Sequence, residues 1–318
     1  MIFDSIAVVA AFMVGFAMKR GGLCTYAAAL QIVRSGQFER LFAFLGAAAW
    51  TVVAIVPLRW FWTDAIQQVS THSQWSLTLI GGVLLGLGAY LNRGCVFGTF
   101  VQLVGGNLTY LFTLLGLACG AVFAKAKLST VLPVLHDSAL TASPGFLAFL
   151  WLGVAILFIA YCLVQQKTSR DKIIMFTLGI GGGWLFSTVQ GWDFAAVITN
   201  TTYYFFNLQL TGPSFLAVVC TIAMVGGGIT AAVVSKNFSI RTPQLWSSVG
   251  SFLGGVLMGS SSLIIPGGND SMLLKGIPAL APHSVFGYVM MVAIMLLLLA
   301  IIRNDRGFSV QLLRKNNA

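Results

Sequence analysis

Apolar runs of about twenty residues recur along the whole chain, and each is long enough to cross the hydrocarbon core of a bilayer as a helix. Leu41 to Leu58, Asn107 to Ala124, Gly145 to Val164, Pro213 to Val234 and His283 to Ile302 are unbroken. Charged residues make up 8% of the 318 positions and hydrophobic residues 58%. Soluble domains carry roughly a quarter charged residues, so the chain reads as an integral membrane protein. The alternation of a β-barrel is absent, which leaves an all-α polytopic bundle of about nine transmembrane helices. Asp4 stands where a signal peptide would carry basic residues, so the first run reads as a retained helix.

Four other runs are interrupted. The first breaks at Lys19 to Cys24, the second at Asn92 to Cys95, a third at Gly179 to Gly183, and a fourth at Pro266 to Asp270. The resulting order is broken, whole, broken, whole, connector, broken, whole, broken, whole. This reads as an inverted internal repeat with short half-helices, an architecture that gathers its interruptions at a central site in transporters. The expected units are a first repeat over 1–125, a connector with one helix over 126–172, and a second repeat with a basic tail over 173–318. The competing reading is that glycine is common in membrane helices because it allows close packing.

The net charge of +10 does not indicate nucleic acid, because the basic residues stand singly or in small groups at segment ends. Asp4, the basic residues after the first run, and Arg303, Arg306, Arg314 and Lys315 favour an outside N-terminus and an inside C-terminus. The expected location is the bacterial inner membrane. Positive charge also favours an anionic solute. The five cysteines form no metal spacing, and no metal or other cofactor is expected. Cys119, Cys162 and Cys220 lie within apolar sequence and read as packing residues.

Cys24 and Cys95 are different. Each follows a glycine-containing break at which a short helix can begin, where exposed N–H groups attract an anion. Gln31 and Gln102 each lie seven residues further on and share a helix face with their cysteine. Arg93, deep in its run, reads as a structural or substrate-pairing cation. Asp193, Asp270 and Lys275 are the acidic and basic candidates of the second half, with Asn269 and Asp270 expected to cap a half-helix.

Together KRGGLC (Lys19 to Cys24), NRGCVFGT (Asn92 to Thr99), GGVLMG (Gly254 to Gly259) and the later GGN resemble the YeeE/YedE family of sulfur-transport membrane proteins. That resemblance implies uptake of thiosulfate or a related sulfur compound, passed between thiols at a central constriction by hydrogen bonds. Cys24 and Cys95 match the first two functional cysteines of the family. Gly268 stands where a third is expected, so Asn269 and the N–H groups of Gly267 and Gly268 are the candidate donors there. A soluble sulfur-carrier or sulfurtransferase protein is the expected partner besides the anion and the lipid. The alternatives are a membrane thiol oxidoreductase or sulfur carrier, which needs cysteines at disulfide distance and an electron acceptor, and a non-transporting membrane subunit.

Overall fold

The computed structural model describes residues 2–62, 69–71, 74–128, 136–137, 144–166, 168–265 and 268–315, the last of them, 303–315, by backbone alone. The chain runs α1 (Ile2–Gly21), α2 (Thr25–Ser35), α3 (Glu39–Phe61), α4 (Trp75–Leu91), α5 (Val96–Leu103), α6 (Leu111–Leu128) and α7 (Phe146–Gln165). It continues through α8 (Ser169–Thr188), α9 (Phe194–Phe205), α10 (Phe215–Val234), α11 (Leu245–Ile264), α12 (Asn269–Ser271) and α13 (Pro282–Lys315). A π-helical turn, Met272–Gly276, extends α12. Two-residue strands β1 (Ser70–Thr71) and β2 (His136–Asp137) pair antiparallel, Ser70 with Asp137 and Thr71 with His136.

Among the described residues, eight segments are long and apolar enough to cross a membrane. The twenty-residue α8 is not among them. Arg170, Asp171 and Lys172 in its first turn and its glycine-rich middle lower its hydropathy. On α7, Leu157 and Val164 are 72% and 83% exposed. Such an apolar exterior suits lipid as the solvent. The protein is an all-α polytopic membrane bundle.

The first two breaks are built alike. α1 ends with Gly22 at φ +58, its N–H bonded to the Lys19 carbonyl while the Leu23 N–H reaches back to Met18. α4 ends with Arg93 at φ +54, its N–H bonded to Tyr90 while the Gly94 N–H reaches back to Ala89. Both are Schellman stops, which close a helix by a left-handed residue. One residue later a cysteine in extended backbone, Cys24 or Cys95, becomes the N-cap of a new helix.

The third break is not where the glycines lie. α8 continues through Gly179, Gly181, Gly182 and Gly183, and stops at Thr188. Those glycines admit a neighbour: a Cβ on Gly179 would strike the Ala47 carbonyl of α3, and Thr51 of α3 donates to the Gly179 carbonyl at 2.7 Å. Asp193, beyond the true stop, caps α9 by accepting the Ala196 N–H.

Helix contacts recur in corresponding pairs. Exchanging α1 with α8, α2 with α9, α3 with α10, α4 with α11 and α6 with α13 turns the α1–α10 contact into α8–α3. The same exchange turns α6–α11 into α13–α4 and α2–α13 into α9–α6. α12 and its π turn span three and five residues, together the length of the eight-residue α5. The stretch after α4 is pinned by Asn92, whose amide donates to the Gly94 carbonyl at 2.7 Å and to Thr99 at 2.8 Å. Its oxygen accepts from Thr113 of α6 at 2.6 Å.

Candidate functional site

The half-helix starts converge. The Thr25 N–H, first in α2, donates to Cys95 Sγ at 3.3 Å. The Val96 N–H, first in α5, donates to Asn269 Oδ1 at 3.2 Å, and Asn269 Nδ2 reaches Thr25 Oγ1 at 3.4 Å. Three segments far apart in sequence are thereby tied end to end. α9 arrives at the same place: a Cβ on Gly268 would lie 3.7 Å from Ala195. The starts of α2, α5 and α9 therefore gather at one buried centre, where the positive ends of α2 and α5 favour an anion and Asp193 caps that of α9.

At that centre the thiols touch. Cys95 Sγ donates to Cys24 Sγ at 3.8 Å, and the two residues are 0% and 8% exposed. The pair is reduced and free, as are the three other cysteines. Gly98, one turn into α5, is the floor under Cys24, because a Cβ there would run into the Cys24 sulfur. Asn269 is fully buried. Tyr288 of α13 lies beside Thr25 and both thiols.

The other expected positions separate. Gln31 is at the far end of α2, bonded to Gln37 at 3.3 Å and accepting the Arg40 N–H at 3.4 Å. Gln102 is exposed near the end of α5. Neither amide reaches the thiols, because each cysteine is an N-cap and the glutamines lie at the other ends of the half-helices. Arg93 is exposed and lines an open cavity of about 400 Å³ with Asn107, Tyr110 and Arg241. A second cavity, about 380 Å³, is lined by Lys19, Arg20, Arg170 and Lys236. There Arg20 donates to Ser235 at 2.8 Å and Arg170 donates to the Arg20 carbonyl. The loop after α5 and the α10–α11 loop join these cavities through the Ser239 N–H to Gly105 and the Arg241 N–H to Gly106. The basic residues thus line these open cavities rather than the buried centre.

Two further expectations change, and one holds. Asn269 and Asp270 do not cap α12; Gly268 is the N-cap, without a side-chain bond, and Asn269 spends its amide on the neighbouring half-helices. Cys119 is exposed on α6, because the inner face of that helix carries Gly116 and Gly120 against α11. Cys162 and Cys220 are packing residues, both fully buried. Gly267 lies outside the described residues.

The chain matches the family model described as Sulphur transport over residues 20–174 and 139–296. It belongs to the sulphur-transport family. A curated relative, the "Thiosulfate transporter TsuA" of Escherichia coli (strain K12), is 24% identical over 298 residues, covering 80% of this chain and 82% of its own. Within a sulphur-transport chain, the thiol pair at the meeting point of half-helices is the feature that the YeeE/YedE motifs single out. Thr25 and Tyr288 join it without a motif. Thr25 is legible only as the neighbour of Cys24, and Tyr288 as a hydroxyl in the middle of an apolar run that needs a partner.

Proposed function

We propose that this chain carries a small sulfur-containing anion, thiosulfate first among the candidates, across the bilayer through the Cys24–Cys95 constriction. The observation that carries this reading is the buried 3.8 Å thiol contact at the convergence of three helix N-termini. In the closed state the two thiols bond each other and Cys95 also accepts from Thr25. An arriving anion replaces the thiol–thiol bond, taking S–H groups from both cysteines and drawing on the positive helix ends. Thiols are weak donors, and a path must release what it binds. No covalent bond to sulfur is required.

The two basic cavities hold anions on one side of the constriction, where an imported anion emerges. Their charge also supports an orientation with that end in the cytoplasm and the start of α1 outside, in a bacterial inner membrane. The repeats over 1–125 and 173–318, joined by 126–172, account for the paired helix contacts as two halves facing one site. A soluble sulfur-carrier or sulfurtransferase protein is the partner that consumes the imported anion.

Purified protein in proteoliposomes is expected to take up radiolabelled thiosulfate above the level of empty vesicles. Unlabelled thiosulfate is expected to compete and sulfate, lacking the outer sulfur, to compete weakly. Uptake equal to that of empty vesicles for thiosulfate and for other reduced sulfur anions contradicts the reading.

A further inference from the structure

The centre holds an acidic group that the transport route, as described, leaves unused. At the start of α5, just past Cys95, lies a narrow cavity lined by Met18, Val96, Phe97, Phe194, Leu274 and other apolar side chains, together with Asp270. Its free space is about 10 Å³, the room of roughly one water. Asp270 is 3% exposed, and its Oδ1 has no hydrogen-bond partner among the described residues. That oxygen fills the place in front of Gly268: a Cβ built there would stand 2.6 Å from Oδ1 and 3.3 Å from Val96 Cγ2.

The charges around Asp270 do not neutralise it. Asp193 at the start of α9 and Cys95 at the start of α5 face it electrostatically, and both add negative or potentially negative charge. Lys275, on the same short helix, interacts with Asp193, and Arg59 of α3 interacts with Lys275. Cys24 and Tyr288 stand around Cys95, and His283 of α13 is bonded to Ser284. A buried carboxylate without a cation is costly, and a passing anion beside it raises that cost further. The neutral acid removes both penalties and gains an O–H donor.

We propose that Asp270 is held as a carboxylic acid and donates a hydrogen bond to the passing anion, standing with Cys24 and Cys95 as the third donor of the route. Passage of the anion then depends on a proton residing on Asp270. The donor role rests on the transport reading; the protonated state does not.

Two measurements test it. Infrared difference spectra between the wild type and Asp270→Asn in detergent at neutral pH are expected to show the carbonyl stretch of a buried protonated carboxyl, absent from the variant. Absence of that band from the wild type overturns the proposal whether or not transport is found. In proteoliposomes, wild-type thiosulfate uptake is expected to fall as pH rises. Asp270→Asn, a permanent N–H donor, keeps the low-pH uptake and loses that fall. Asp270→Ala loses about tenfold, as removal of one polar contact to an ion predicts.

Removing the carboxyl also clears the space before residue 268. Gly268→Cys combined with Asp270→Ala is therefore expected to recover uptake with little pH dependence, and it serves where Asp270→Asn fails to fold. A pH profile in either variant identical to that of the wild type overturns the proposal. Uptake unchanged in Cys95→Ala would instead remove the thiol route while leaving the infrared result standing.

Discussion

Cys95→Ala is expected to lower the initial rate of thiosulfate uptake at least tenfold in proteoliposomes while the protein still purifies as a folded species. Cys95 is the residue through which the half-helices communicate: it caps α5, accepts the Thr25 N–H and donates to Cys24. Alanine removes the donor an anion would meet and the acceptor that holds the start of α2. The stability cost is that of one buried N–H left without a partner, about 1–3 kcal/mol, which a bundle of this size tolerates. The loss therefore falls on flux rather than on assembly. Cys95→Ser restores an O–H donor on a shorter bond and is expected to recover part of the rate. Cys119→Ala, at an exposed position on α6, is expected to behave as the wild type. Equal rates for Cys95→Ala and the wild type would take the thiol out of the mechanism.

Gly255→Val is expected to act on assembly instead. Membrane helices gain little from burying apolar surface against one another, so close backbone contact has to supply the attraction. α6 and α11 achieve it reciprocally. A Cβ on Gly255 would run into the Thr113 carbonyl and one on Gly259 into Leu117. From the other side, Gly116 abuts the Phe252 carbonyl and Gly120 abuts Val256. Each helix carries its pair four residues apart, one turn of the same face. The atoms in the way are backbone, so no rotamer change relieves the clash. Overpacking costs of about 1–3 kcal/mol are the lower bound. α11 also leads into Asn269, which bonds both other half-helices, so a displaced α11 disturbs the centre too. A clear fall in melting temperature and folded yield in detergent is the expected result; an unchanged melt would show that α6 and α11 do not need this contact.

The bundle was legible because bilayer thickness imposes a length on apolar runs, and the runs ending at Leu58, Val164 and Val234 lie within one or a few residues of helix ends. The cysteine breaks were legible for a local reason: a polar interruption followed by a thiol marks a stop and a new start. Glycine misled at Gly179 to Gly183, where it allows α3 to approach and the helix continues. The residue that marks the third half-helix is Asp193, a cap. Gln31 and Gln102 failed on depth. Seven residues bring a side chain back to the same face, but about 10 Å further along the axis. Thr25 bonding to Cys95, Tyr288 beside both thiols and the unbonded oxygen of Asp270 depend on segments 70 or more residues apart, or on a void, and no local pattern carries them.

The claim on which the account turns is that an anion occupies the place where the two thiols now meet. Anomalous diffraction near the sulfur edge, from crystals grown with and without thiosulfate, locates it directly. The account predicts paired sulfur peaks within hydrogen-bond distance of both Cys24 and Cys95, with the thiols parted from their 3.8 Å contact. Thiosulfate found only in the basic cavities around Arg20 and Arg93, with the thiol contact intact, would contradict it.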